Sequence, residues 1–395
     1  MDIATVTSLE ADTRAAFSAA YAALVGKLGG PPDWLIVQSA VRHEVATLRE
    51  AARLSGVEQL HGSSSCLGVM SDAGVDTAGG LGLFGLRDSD GDFGVGSAPL
   101  GDDPAAAAGA ALRQAIANAQ REGELPELVW VSASPGTEER CIAGIEAEIG
   151  AGAPIVGGSA ADDAVAGGWY LFDAHADYGS GIVVSVLYPS TGVHSVFHSG
   201  YSPTTTTGTV TAATGRAIET IDGDAAAATY DRWTGGAVGE ALEAGGSVLG
   251  STTLHPIGRR VGEDGGVSYY RLAHPESVTA EGHLVLFAEV SVGDELILMT
   301  GSTDALRSRA GRVAADALAR ARRPSSEIAG ALVIFCAGCM LTIRDELDDV
   351  VASLRGVLGD VPFLGGFTFG EQGCFVGGEN CHGNLMISVT VFERA

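Results

Sequence analysis

Positive charge is what this sequence lacks most. Its 395 residues carry 23 Lys and Arg against 49 Asp and Glu, a formal net charge of −26. Binding a phosphate backbone needs clustered cations, so DNA, RNA and anionic membrane surfaces are excluded as partners. Lys27 is the only lysine, and no G-x-x-x-x-G-K-[ST] pattern is present, which argues against a P-loop and a Schiff-base lysine. Long apolar runs are missing too, since none approaches the ~20 residues that a membrane span needs. The opening segment, MDIATVTSLEADTRAAF, has no basic stretch leading into an apolar one, so no signal peptide is expected and the expected compartment is the cytoplasm. There the six cysteines are expected as thiols or ligands rather than disulfides.

What is present is a repeat. LIVQSA (35–40) leads into the helical pattern HEVATLREAARLSG and then VEQLHGSSSCLGVMS (57–71). ELVWVSASPG (127–136) leads into TEERCIAGIEAEIG and then APIVGGSAADD (153–163), and ALVIFCAGCM (331–340) into LTIRDELDDVVASLRGVLG and VPFLGGFTFGEQGC (361–374). Each unit reads strand, helix, strand and a Gly/Ser-rich turn, with apolar residues such as Val350, Leu354 and Leu358 at helical spacing. The expected fold is α/β (α+β), with layered sheets flanked by helices, built from repeated strand–helix–strand units and having two similar halves. SPTTTTGTVTAATG (202–215) reads as a strand or crossing segment, and a boundary near residue 200 divides the chain into 1–200 and 201–395.

Three glycine turns at matching places suggest one shared cleft, because glycine lets backbone approach a ligand closely. They contribute Gly62 and Ser64, then Gly157, Gly158, Ser159 and Asp162, then Phe367, Phe369 and Glu371. Glu371 stands alone as a charge in an apolar stretch and would recognise an amine, while Arg344 would clamp a carboxylate. Together they would suit an amino acid. A solvated helix face is the plainer role for Arg344, since LTIRDELDD is rich in charge.

PFLGGFTFGEQ resembles the P-x-x-G-F-Y-[ST]-Y-G-E-I segment of the FIST sensory proteins, and GGSAADD resembles their Gly-Gly-Ser-x-x-Asp turn. YDRWTG, HPIGRR, VGDELILMTG and FCAGC resemble further FIST segments in matching order. The resemblance implies a FIST N-terminal-like domain followed by a FIST C-terminal-like domain. It also implies a small-molecule sensor, with amino acids proposed as ligands, acting with histidine kinases, cyclic-di-nucleotide enzymes or chemotaxis proteins. Some members resemble haem-binding nitric oxide sensors, which leaves haem open as a cofactor. No histidine here sits in C-x-x-C-H, so covalent c-type attachment is excluded.

The cysteines keep a second reading open. Cys336 and Cys339 form C-x-x-C at a strand-to-helix corner, Cys374 follows the next glycine turn, and His382 follows Cys381. If Cys336, Cys339, Cys374 and His382 converge, with Cys381 turned away, they would suit zinc, copper or iron. Small apolar thiols also pack in tight cores, and C-x-x-C can be a redox pair. GSSSCLG (62–68) beside His61 invites a nucleophile reading but lacks G-x-S-x-G spacing. Ligand sensing without turnover is therefore the leading expectation. A metal- or haem-binding protein and a thiol- or metal-dependent enzyme are its alternatives.

Overall fold

The computed structural model describes every residue except Gly265 and Val376. The strand–helix–strand unit occurs three times, and each occurrence builds one six-stranded sheet. The first unit runs β1 (Asp2–Ser8), α1 (Thr13–Leu28), β2 (Trp34–Ser39), α2 (Val45–Leu54), β3 (Leu60–Ser64), the hairpin β4 (Val69–Ser71) and β5 (Gly74–Asp76), and β6 (Leu81–Arg87). The second runs β7 (Asp92–Pro99), α3 (Pro104–Ala119), β8 (Leu128–Ala133), α4 (Glu138–Ile149), β9 (Ile155–Gly158), the hairpin β10 (Leu171–Phe172) and β11 (Asp177–Tyr178), and β12 (Gly181–Tyr188).

The third unit opens with β13 (Val193–His198) and is then interrupted. Nine further strands follow: β14 (Ser202–Thr214), β15 (Ala217–Ile221), β16 (Asp224–Ala225), β17 (Gly246–Ser247), β18 (Ile257–Asp264), β19 (Val267–Ala273), β20 (Pro275–Val278), β21 (Leu284–Leu286) and β22 (Glu295–Thr300). They form a sheet of their own, with α5 (Ala226–Thr234), α6 (Ala241–Ala244) and α7 (Leu249–Thr252) among them. The unit resumes with α8 (Thr303–Ala321), β23 (Ile328–Cys336), α9 (Ala337–Thr342), α10 (Leu347–Leu358), β24 (Phe363–Thr368), the hairpin β25 (Glu371–Cys374) and β26 (Asn380–Gly383), and β27 (Ile387–Glu393).

In every unit two strands pair in parallel and the unit's last strand joins them antiparallel, as β23 does with β24 and β27. Strands paired this way have both faces covered and read as continuous apolar runs, and β2 and β23 are buried along their whole length. Helices start where side chains cap them. Asp12 accepts from the Ala15 N–H at 2.8 Å before α1, and Ser302 accepts from the Ala305 N–H at 3.2 Å before α8.

The hairpins join the units. β10 of the second unit pairs with β3 of the first, β25 of the third with β9 of the second, and β4 of the first with β24 of the third. The exchange is cyclic, so no sheet is complete within its own stretch of sequence. Where the three strands end, their turns close a ring of backbone bonds about a pseudo-threefold axis. The Cys66 N–H donates to Phe367 O (3.0 Å), the Phe369 N–H to Ser159 O (3.3 Å) and the Ala161 N–H to Ser64 O (3.1 Å). The three glycine turns therefore meet one another through their backbones.

Candidate functional site

A cavity of about 430 Å³ opens where the third unit meets the inserted sheet. Val165, Leu249, Phe287, Leu341 and Phe369 give it an apolar lining, and Gly250 and Gly338 leave room. Its polar groups are Thr253, His274, Cys336, Thr342, Thr368 and Asn384. Among the described residues no Asp, Glu, Lys or Arg lines it. α9 forms one wall because β23 ends at Cys336 and turns at once into the helix.

His274 is fixed by its backbone, whose N–H donates to Asn384 Oδ1 at 3.2 Å and whose carbonyl accepts from the Phe287 N–H at 3.1 Å. Its Nε2 is buried and makes no hydrogen bond. Burial holds the ring neutral, lowering its pKa to about 4, with the Leu249 carbonyl pulling weakly the other way. A buried nitrogen without a partner is an open hydrogen-bonding site in the lining.

Beneath the cavity lies a buried charged cluster. Arg309 is 1% exposed. Its Nη1 donates to Ser199 O (2.7 Å) and Leu385 O (2.8 Å), and its guanidinium lies over the Phe335 ring at 4.7 Å. Its Nε and Nη2 find no hydrogen-bond partner. Cys339 Sγ is 3.5 Å from Tyr201 Oη, which is also 2.9 Å from Thr253 O. Burial pushes the Cys339 thiol up. The Cys336 S–H, the Arg309 charge and the Tyr201 hydroxyl outweigh burial and draw it down to about 6. Cys336 moves the opposite way, raised by burial and by its bond to Cys339.

Glu371 is fully buried in the same cluster. Its Oε1 accepts from the Thr368 hydroxyl (2.8 Å) and its Oε2 from the Met386 N–H (2.9 Å). Burial raises its pKa well above the carboxylate range, against those two donors and Arg309. The two bonds from Glu371 and Arg309 also hold Leu385 in its left-handed conformation, φ +57°.

The expected ligand residues separate by location. Phe369 lines the cavity and meets Trp169 edge-on, with ring centroids 6.1 Å apart. Phe367 is buried against Phe335, and Glu371 sits below the wall behind Thr368. Gly62, Gly157 and Gly158 are occupied by packing. A Cβ on Gly62 would lie 2.3 Å from the Phe172 ring, on Gly157 1.8 Å from Val131 O, and on Gly158 2.4 Å from Thr368 Cγ2. The Ser64 hydroxyl accepts from the Tyr170 N–H (2.9 Å), and Ser159 Oγ donates to Glu138 Oε1 (2.8 Å). Asp162 organises its own loop by accepting from the N–H groups of Ala164, Ala166 and Gly168. Arg344 is exposed on a short 3₁₀ turn, as the charge-rich reading of that segment has it.

The four expected metal ligands do not converge, which corrects that expectation. Cys374 lies at another cavity with Phe375 and His198. His382 stands opposite Gln372 in the β25–β26 pair and joins Glu138 and Glu139 instead. The reason is strand geometry: β25 advances ~3.3 Å per residue, carrying Cys374 away from Glu371 and the C-x-x-C corner. Among the described residues only Glu138, Glu139 and His382 group at metal-binding distances. Arg216 already bridges those two carboxylates at 2.7 Å each, so a protein cation occupies the place between them. Haem fits poorly too, since its carboxylates would find no cation in the cavity lining.

Arg309, Tyr201 and His274 were not singled out from the sequence. Arg309 had a signal, because it falls on the buried stripe Leu306, Ala310, Val313, Ala314 and Ala317 of α8, where a cation stands out. His274 had none.

The FIST N domain matches residues 34–224 and the FIST C domain matches residues 226–374. The chain belongs to the FIST family. FIST domains are sensory domains that bind small ligands. No curated protein matches the chain. A crystal structure of a cyanuric acid hydrolase from A. caulinodans is similar at 10% identity and a TM-score of 0.39, over 100% of this chain and 99% of that one. That likeness says nothing of this FIST protein's chemistry. Among the described residues no helix is long and apolar enough to cross a membrane.

Proposed function

We propose that this FIST protein senses a neutral, largely apolar small molecule bound in the 430 Å³ cavity, and that it passes the signal to a separate partner without turning the molecule over. The carrying observation is the lining, an apolar enclosure with the bare His274 Nε2 and the Asn384 amide but no charged side chain. Such a site selects a ligand offering a hydrogen-bond donor to His274. It would desolvate both charges of an amino acid zwitterion without compensation, so the family's amino-acid reading is not the one adopted for this cavity. Binding without turnover is supported by the separation of His61 and Ser64, the hydrolase-type candidates, from the cavity. His61 is held between Ser185 and Ser132 at 2.8 and 2.9 Å, and Ser64 is committed to Tyr170. The partner is of the signalling type, such as a histidine kinase or a cyclic-di-nucleotide enzyme.

A thermal-shift screen of neutral metabolites tests the reading. A ligand at 100 times its dissociation constant stabilises by about 2.7 kcal/mol, a readily measured shift. Phe369→Ala is expected to weaken any hit at least tenfold. Stabilisation only by charged amino acids, or product formation from a hit, would overturn the proposal.

A further inference from the structure

We infer that Cys336 and Cys339 are a redox-active dithiol, oxidised to an intrachain disulfide by a hydroperoxide that reaches Cys336 through the cavity. The C-x-x-C places the two thiols one helical turn apart, where β23 ends and α9 begins. Cys336 forms part of the cavity wall, whereas Cys339 is fully buried behind it. One thiol therefore meets solutes and the other is held in reserve.

The surroundings fit a thiolate better than packing alone. Arg309 is buried, forms no salt bridge among the described residues, and keeps two guanidinium nitrogens without partners. Its charge and the Tyr201 hydroxyl both act on Cys339, which supplies the negative charge an unpaired buried cation requires. Cys66, Cys141 and Cys381 are buried too, but none of them stands in a C-x-x-C pair at the cavity wall.

The chemistry balances. Cys339, the thiolate of the resting pair, acts as base and takes the Cys336 proton only as the Cys336 sulfur attacks. That sulfur attacks one oxygen of the hydroperoxide and the O–O bond breaks. The departing alkoxide or hydroxide takes the proton held by Cys339, and Cys336 becomes a sulfenic acid. The Cys339 thiolate then attacks the Cys336 sulfur, the S–O bond breaks, and hydroxide leaves to be protonated by solvent. The two sulfurs are oxidised by one electron pair and the peroxide is reduced to an alcohol, or to water when it is hydrogen peroxide. Oxidation removes the charge that faces Arg309, leaving Glu371 as its partner. Because Glu371 holds the Thr368 hydroxyl, the change reaches the cavity wall.

The inference rests on access through the cavity and not on the identity of the sensed ligand, so either can fail alone. Reduced full-length protein is treated with stoichiometric hydrogen peroxide, denatured, alkylated and mapped by mass spectrometry. The expected result is loss of two of the six free thiols as a disulfide within the peptide spanning 336–339, restored by dithiothreitol. In Cys339→Ser the reaction should stop at a sulfenic acid on Cys336, trapped by dimedone. Six alkylated cysteines after peroxide would overturn the inference. So would a dimedone adduct in Cys339→Ser that falls on Cys374 instead of Cys336.

Discussion

At the residue scale the account turns on a few buried groups whose charge states are set by their neighbours. Arg309 balances the Cys339 thiolate, so Arg309→Met should leave a buried anion without its cation. The expected loss is about 3–5 kcal/mol in urea unfolding, the range for breaking a buried pair. In the same variant the pH midpoint of Cys339 ionisation, followed by thiolate absorbance, should rise from about 6 toward the ordinary thiol value. Two buried histidines set a second dependence. His61 is lowered to about 3 and His274 to about 4, both by burial. The folded protein keeps both neutral while the unfolded chain protonates them below pH ~6.5. Stability should therefore fall as pH drops from 6.5 toward 4, by at most roughly 3 kcal/mol per histidine at pH 4. Cys339 acts in the same direction, its contribution being complete above pH 9 and lost as pH falls through 6. Urea titrations across this range test the sign, and His61→Gln should flatten the slope. Of these residues the sequence displayed Glu371 as a lone charge and Cys336 and Cys339 as a motif. It hid His274, whose place is set by the Leu249 carbonyl of α7 and a distant asparagine rather than by local spacing.

At the element scale the glycine turns carry the fold. The sequence showed all three, because each follows an apolar strand at the same place in its unit. Their purpose was less visible. They admit the neighbouring unit's hairpin rather than a ligand, and those hairpin strands are two to four residues long, too short to leave a period-2 pattern. Gly157→Ala would put a Cβ 1.8 Å from Val131 O, so strand β9 must shift against β8. The expected loss is about 1–3 kcal/mol in thermal or urea unfolding. Gly338→Ala is the contrast. Its Cβ would meet nothing closer than Leu385 Cδ2 at 3.5 Å, so stability should change by no more than about 0.5 kcal/mol. The metal expectation failed at this scale, because proximity in sequence does not bring Cys374 back to the C-x-x-C corner once β25 runs outward.

At the scale of the whole molecule, the cyclic exchange of hairpins makes the three units interdependent. β9 lacks its β25 neighbour and β4 lacks β24 unless the third unit is present. A fragment of residues 1–200, the first of the two expected domains, should therefore fail to give a dispersed NMR spectrum, while the full chain unfolds in one cooperative step. The central claim concerns the cavity between this core and the inserted sheet. Gly338 stands in its wall, where a Cβ would make ordinary contacts with Leu385 (3.5 Å) and His274 (3.6 Å) and no clash, so Gly338→Leu should extend into the cavity and fill it with the fold kept. Calorimetric titration of a screened neutral ligand into the wild type and into this variant is the most direct test. The account predicts saturable binding by the wild type and at least a tenfold loss in a variant of unchanged melting temperature. Equal binding by both proteins would contradict it.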